Sequence, residues 1–155
     1  MKSQNQMLLN EQNIEKYKNM IDSFGGPMGM AEKFNWSVST IYRWLSGNLM
    51  GLTHAICIVV ENPDFELKDL LGYALDCDPV YLKVIAHFGG QSATAAALNL
   101  AQATVRGWLV DGTNISLQKA ELLEFITGGK FHPSDFKYLN EQAGRILKNG
   151  SVIAA

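Results

Sequence analysis

The sequence predicts an all-α chain of short helices, arranged as two tandem copies of one unit of about sixty residues. Three observations carry this. Apolar residues recur at three- and four-residue steps, glycine, proline and asparagine punctuate them, and the chain repeats itself at an offset of 64. Phe24-Gly25-Gly26 returns as Phe88-Gly89-Gly90 and Trp44-Leu45 as Trp108-Leu109. Between these anchors Ala31 pairs with Ala95, Phe34 with Leu98, Asn35 with Asn99, Trp36 with Leu100, Thr40 with Thr104 and Ile41 with Val105. A one-residue shift in the loops then brings Ala55 to Ala120, Phe65 to Phe131 and Asp69-Leu70 to Asp135-Phe136.

In the first copy Ile14, Tyr17, Met20, Ile21 and Phe24 define one apolar helical face. Gly25-Gly26 stops that helix, and Pro27 suits the first turn of the next because its missing N–H has no partner there anyway. The second helix runs to Phe34 and buries Met28 or Met30, with Ala31 and Phe34. After the turn Asn35-Trp36-Ser37, with Ser37 suited to cap, a third helix turns Val38, Ile41, Trp44 and Leu45 inward and ends by Gly47. Leu52 to Val60 is ambiguous: β-branched Ile56-Cys57-Ile58-Val59-Val60 suits a buried strand by propensity, and its match to the second copy argues for helix.

Gly72 to Asp78 reads as the joint. The second copy then opens at Asp78-Pro79, with Leu82, Ile85, Ala86 and Tyr81 facing inward and Phe88 closing the face. Helices follow from Gln91 to Leu98, Gln102 to Leu109 and Leu117 to Ile126, and a further one starts at Pro133. Lys137 onward carries a thin stripe of Leu139, Ala143, Ile146 and Leu147, and Ser151-Val152-Ile153-Ala154-Ala155 reads as either a disordered end or an exchange strand in a dimer. The organisation is a tail at 1–12, a first domain at 13–75, a second at 76–136, and a C-terminal helix and tail at 137–155.

With 47% hydrophobic and 18% charged residues in 155, the chain can bury a core. Thirteen Lys+Arg stand against fifteen Asp+Glu, six against eight in residues 1–75 and seven against seven beyond, which excludes a polybasic binder. The longest apolar run, Ala55 to Val60, falls far short of the roughly 20 residues of a spanning helix. Met1 to Asn13 does not read as a secretory signal, and the expectation is a soluble cytoplasmic protein with no membrane partner. Cys57 and Cys77 lack metal-ligand spacing and are expected to stay reduced; His54, His87 and His132 are dispersed and read as surface or helix-end residues. Gly25-Gly26-Pro27-Met28-Gly29 lacks the spacing of a nucleotide loop. No nucleophile or paired-carboxylate pattern stands out, so no enzyme, cofactor or metal is expected.

Two helices joined by a three-residue turn, the second pinned by apolar residues, form the helix-turn-helix plan. Its first helix presents backbone amides to a phosphate, here beginning at Gly26 and Gln91, and the glycine pairs let a sugar-phosphate backbone approach. Its second helix lies in the major groove.

These residues resemble the Cro-type repressors, closest to the YdaS-like antitoxin and phage Cro subgroup of the lambda-repressor-like fold. The likeness rests on Phe-Gly-Gly, the central Ala, the three-residue turn and Trp-Leu in both copies, and on Ile115-Ser116, Ala120, Leu123 and Thr127-Gly128-Gly129-Lys130 in the second. It covers residues 14–70 and 80–136. The resemblance implies two tandem lambda-repressor-like helix-turn-helix bundles of four to five short helices each, in a bacterial or phage transcriptional regulator that binds double-stranded DNA as a dimer on the nucleoid. Carried over by position, the DNA-facing residues are Ser37, Ser39, Thr40, Tyr42 and Arg43 in the first copy, with Lys33 nearby, and Gln102, Ala103, Thr104 and Arg106 in the second. Lys119 and Lys130 would flank the latter. Two departures stand out: Ala101 replaces a capping hydroxyl, and Gly107 replaces an outward side chain. Weak basicity keeps open a second reading, in which the same fold binds a protein, such as a toxin or another copy of itself.

Overall fold

A computed structural model of the chain describes residues 4–148, with side chains from 11 to 144. Among these residues ten α-helices and one 3-10 turn form, and no strand. The apolar tail Ser151 to Ala155 lies outside the described residues. The chain divides into two units, Met1–Ala74 and Leu75–Ala155.

The first unit holds α1 (Gln4–Ser23), α2 (Gly26–Phe34), α3 (Val38–Leu45), α4 (Leu52–Glu61) and α5 (Leu67–Leu71). Helix α1 starts ten residues before its first periodic apolar residue, Ile14, because the polar stretch ahead of it lacks glycine and proline and favours helix without an apolar face. Tyr17, Met20 and Ile21 bury its core face against Met30, Ile41 and Trp44. The choice between Met28 and Met30 falls to Met30, which is 0% exposed against 69% for Met28. Residues 52–61 are helical, with Ala55, Ile56 and Ile58 buried, so packing of the apolar face overrides β-propensity there. Phe24, Phe34, Trp36, Trp44 and His54 form a chain of stacked and edge-on rings.

The second unit holds α6 (Pro79–Phe88), α7 (Gln91–Leu98), α8 (Gln102–Val110), α9 (Leu117–Ile126), a 3-10 turn (Pro133–Asp135) and α10 (Lys137–Lys148). Asp78 caps α6 by accepting from Val80 N–H at 3.2 Å, and its other oxygen takes Lys137 N–H at 2.8 Å, which ties the two ends of the unit together. The buried face of α6 differs from the expected one. Tyr81, Val84 and Ile85 are buried while Leu82 and Ala86 are half-exposed. Tyr81 stacks on Trp108 at 5.2 Å and tilts against Phe136 at 5.4 Å. Leu139 of α10 is buried and Ala143 exposed.

Candidate nucleic-acid interface

The turn before each candidate reading helix is built alike. Asn35 and Asn99 adopt left-handed backbone, at φ 57° and 54°, a conformation asparagine tolerates better than most residues. Trp36 N–H and Leu100 N–H then close the turn onto the carbonyls of Ala31 and Ala95 at 2.9 and 2.8 Å. Trp44 and Trp108 are buried at the far ends of α3 and α8, so each helix is fixed by its back and both indoles are core anchors.

On α8 the residues Gln102, Ala103, Thr104 and Arg106 are all exposed, while Val105, Gly107, Trp108 and Leu109 are buried. On α3 Ser39, Tyr42 and Arg43 are exposed and Thr40 is half-buried. Ser37 caps α3 by accepting from Ser39 N–H at 3.3 Å, and its hydroxyl also pairs with that of Ser39 at 2.7 Å. Ala101 gives α8 no side-chain cap. Among the described residues neither Arg43 nor Arg106 makes an ion pair.

Other expected residues sit differently. Gln91 opens α7 but is only 8% exposed, so its side chain packs into the unit and its backbone N–H is what it can offer an anion. Lys33 pairs with Glu61 at 2.9 Å, an exposed ion pair that places a carboxylate beside this cation. Lys119 donates to the carbonyl of Leu98 at 2.8 Å and thereby caps the C-terminus of α7. Lys130 meets His87 Nδ1 at 3.0 Å, and burial followed by that ammonium holds His87 below the usual imidazole range. His54 stands in the first turn of α4, at a helix end, and lies half-buried against Trp36 and Trp44, where burial lowers its pKa. His132 pairs with Glu124.

Gly26 has φ 83° and begins α2, so the turn itself requires a glycine there. Gly107 is not an outward position left blank. A Cβ there would lie 2.6 Å from Thr113 Oγ1, because the loop after α8 folds back over it and Thr113 N–H bonds the Gly107 carbonyl at 3.3 Å. Two inward-facing tyrosines have a role the sequence reading did not assign. Tyr17 Oη accepts from Met50 N–H at 3.2 Å and Tyr81 Oη accepts from Ile115 N–H at 3.0 Å, so they hold the loops that follow α3 and α8. They are 64 apart, so the repeat relates them.

Burial raises the thiols of Cys57 and Cys77 above their ordinary value, and both are unbridged. Among the described residues no three ligating side chains gather to hold a metal, and no helix is long and apolar enough to cross a membrane.

Residues 82–143 match the family described as DNA-binding transcriptional regulator Cro, a stretch that runs from α6 through most of α10. The chain is also similar to the regulatory protein cro of Pseudomonas phage D3, at 39% identity over 56 residues that cover 36% of this chain and 77% of that protein. No solved structure matches it.

Proposed function

The chain belongs to the Cro family of DNA-binding transcriptional regulators, and from that premise we propose that it reads chosen sequences of double-stranded DNA in the major groove, with α8 and α3 as reading helices in a tandem pair of lambda-repressor-like bundles. One observation carries the reading. The first two turns of α8 present Gln102, Ala103, Thr104 and Arg106 to solvent while Val105, Trp108 and Leu109 hold the opposite side in the core. A helix roughly 10–12 Å across fits a major groove about 12 Å wide, and its amide and guanidinium then reach base edges. The N-terminus of α7 supports a phosphate contact through backbone N–H groups.

Charge sets the character of the binding. The net charge is -2 and Lys33 lies beside Glu61, so the complex neutralises few phosphates and specificity rests on base contacts. For two or three neutralised phosphates the slope of log affinity against log salt is about -2 to -3. The reading also puts the protein on the nucleoid in the cytoplasm, acting as a homodimer. Exposed Phe125, at 83%, and Leu117 on α9 support self-association, beside a groove of about 320 Å³ lined by Leu117, Pro133, Leu139 and Ala143.

The test is selection of bound duplexes from a random pool at low salt. Enrichment of a defined sequence, weakened by Arg106→Ala, is expected. A pool left unenriched at every salt concentration would overturn the reading in favour of a protein partner.

A further inference from the structure

Resting on the DNA-binding reading above, we propose that the two reading helices recognise different base sequences, so that the target of one chain is a pair of unlike half-sites rather than a repeat of one. The sequence offset of 64 that relates the two copies pairs the residues of these helices one by one: Val38 with Gln102, Ser39 with Ala103, Thr40 with Thr104, Tyr42 with Arg106 and exposed Arg43 with buried Gly107. Only the threonines agree.

The differences are of a kind that changes what a base edge meets. Gln102 is exposed and carries a donor and an acceptor on one amide, the arrangement that grips an adenine edge. Its counterpart Val38 is half-buried and has neither. Ser39 does not reproduce that arrangement, because it carries a single hydroxyl, already paired with that of Ser37 at 2.7 Å, in place of an amide's paired donor and acceptor groups. The first turn of α3 therefore offers hydroxyls and no amide, whereas the first turn of α8 offers the amide of Gln102.

The cations diverge as well. Arg106 stands one turn beyond Gln102, about 6 Å along the same face, so an adenine contact and a guanine contact follow one another along one strand. In α3 the matching position is Tyr42, whose ring offers an apolar face and one hydroxyl, and the guanidinium is moved to Arg43. Neighbouring residues on an α-helix leave it about 100° apart, so Arg43 points to a different base or phosphate from Arg106 in any shared docking pose. Helix α8 cannot present the same group there, because Thr113 fills the space above Gly107.

The proposal is tested by sequencing the pool selected by the full chain and by Arg43→Ala and Arg106→Ala. The wild-type chain is expected to enrich two unlike motifs. Arg106→Ala should flatten one motif by about ten- to a hundredfold at a single base pair and spare the other, and Arg43→Ala should do the converse, with unchanged thermal unfolding in both. The triple change Val38→Gln, Tyr42→Arg, Arg43→Gly should convert the second motif toward the first. Two copies of one motif, a single motif, or either arginine variant altering both motifs would overturn the inference while leaving DNA binding intact. A pool with no enrichment at all would remove the DNA-binding reading itself, and this inference with it.

Discussion

Tyr17 and Tyr81 occupy the same place in the two units and do half of the same job. Each accepts a hydrogen bond from the loop that follows α3 or α8, from Met50 N–H in one and Ile115 N–H in the other. As donors they part: Tyr17 gives its proton to the Leu70 carbonyl at 2.8 Å, reaching α5, whereas Tyr81 gives its proton to Asn114 Oδ1 at 3.1 Å, inside the loop it holds. The lesson is that the accepting role supports the scaffold, while the donating role has been free to differ. The same division runs through α3 and α8, where the buried backs match and the outward fronts do not.

The largest effect expected from this contrast comes from removing the hydroxyls. Tyr17→Phe leaves both a buried N–H and the carbonyl of buried Leu70 without partners and should cost about 2 kcal/mol, measured by denaturant unfolding. Tyr81→Phe should cost about 1 kcal/mol, because exposed Asn114 can turn to water. Equal losses would break the comparison. Next comes Gly107→Ala, where overpacking against Thr113 outweighs the gain in helix propensity and stability should fall by about 1 kcal/mol. In a Thr113→Ala background the same change should become stabilising by up to about 1 kcal/mol, and failure of that reversal would show that something other than Thr113 occupies the space.

Helix caps give a mirrored pair of smaller size. Ser37→Ala should lose about 1 kcal/mol and Ala101→Ser should gain up to about as much, read as opposite shifts in melting temperature. Smallest is the effect of pH. His54 and His87 are both held below the ordinary value of 6.5, so the unfolded chain binds more protons than the folded one just below that pH. Their contribution is complete above pH 6.5 and is lost as pH falls from there through the folded pKa values. Added salt should raise the folded pKa of His87 by screening Lys130 and leave His54, shifted by burial alone, nearly unchanged, as an NMR titration of the two rings would record.

Much of this architecture was legible because punctuation is local. Glycine and asparagine bracket α7, and serine and threonine bracket α9, so those helices start and stop where the sequence indicated. The inward face of α6 was not legible from periodicity, since Val80, Tyr81, Leu82, Val84, Ile85 and Ala86 surround the helix with apolar side chains and no stripe is distinct. The repeat could have resolved it, because Tyr17, Met20 and Ile21 map onto Tyr81, Val84 and Ile85. At the candidate interface, exposure of Gln102, Thr104 and Arg106 follows from the spacing of Val105 and Trp108. The pairing of Lys33 with Glu61, the burial of Gln91 and the cover over Gly107 depend on which elements meet in space, and no local pattern encodes them.

The threonine seated above Gly107 also constrains the history open to this chain. A lineage that acquired a larger residue at 107 first would pass through a less stable intermediate, whereas one that lost the Thr113 side chain beforehand would not meet that clash. A side chain at 107 therefore requires Thr113 to shift or change, so the two positions vary together rather than singly.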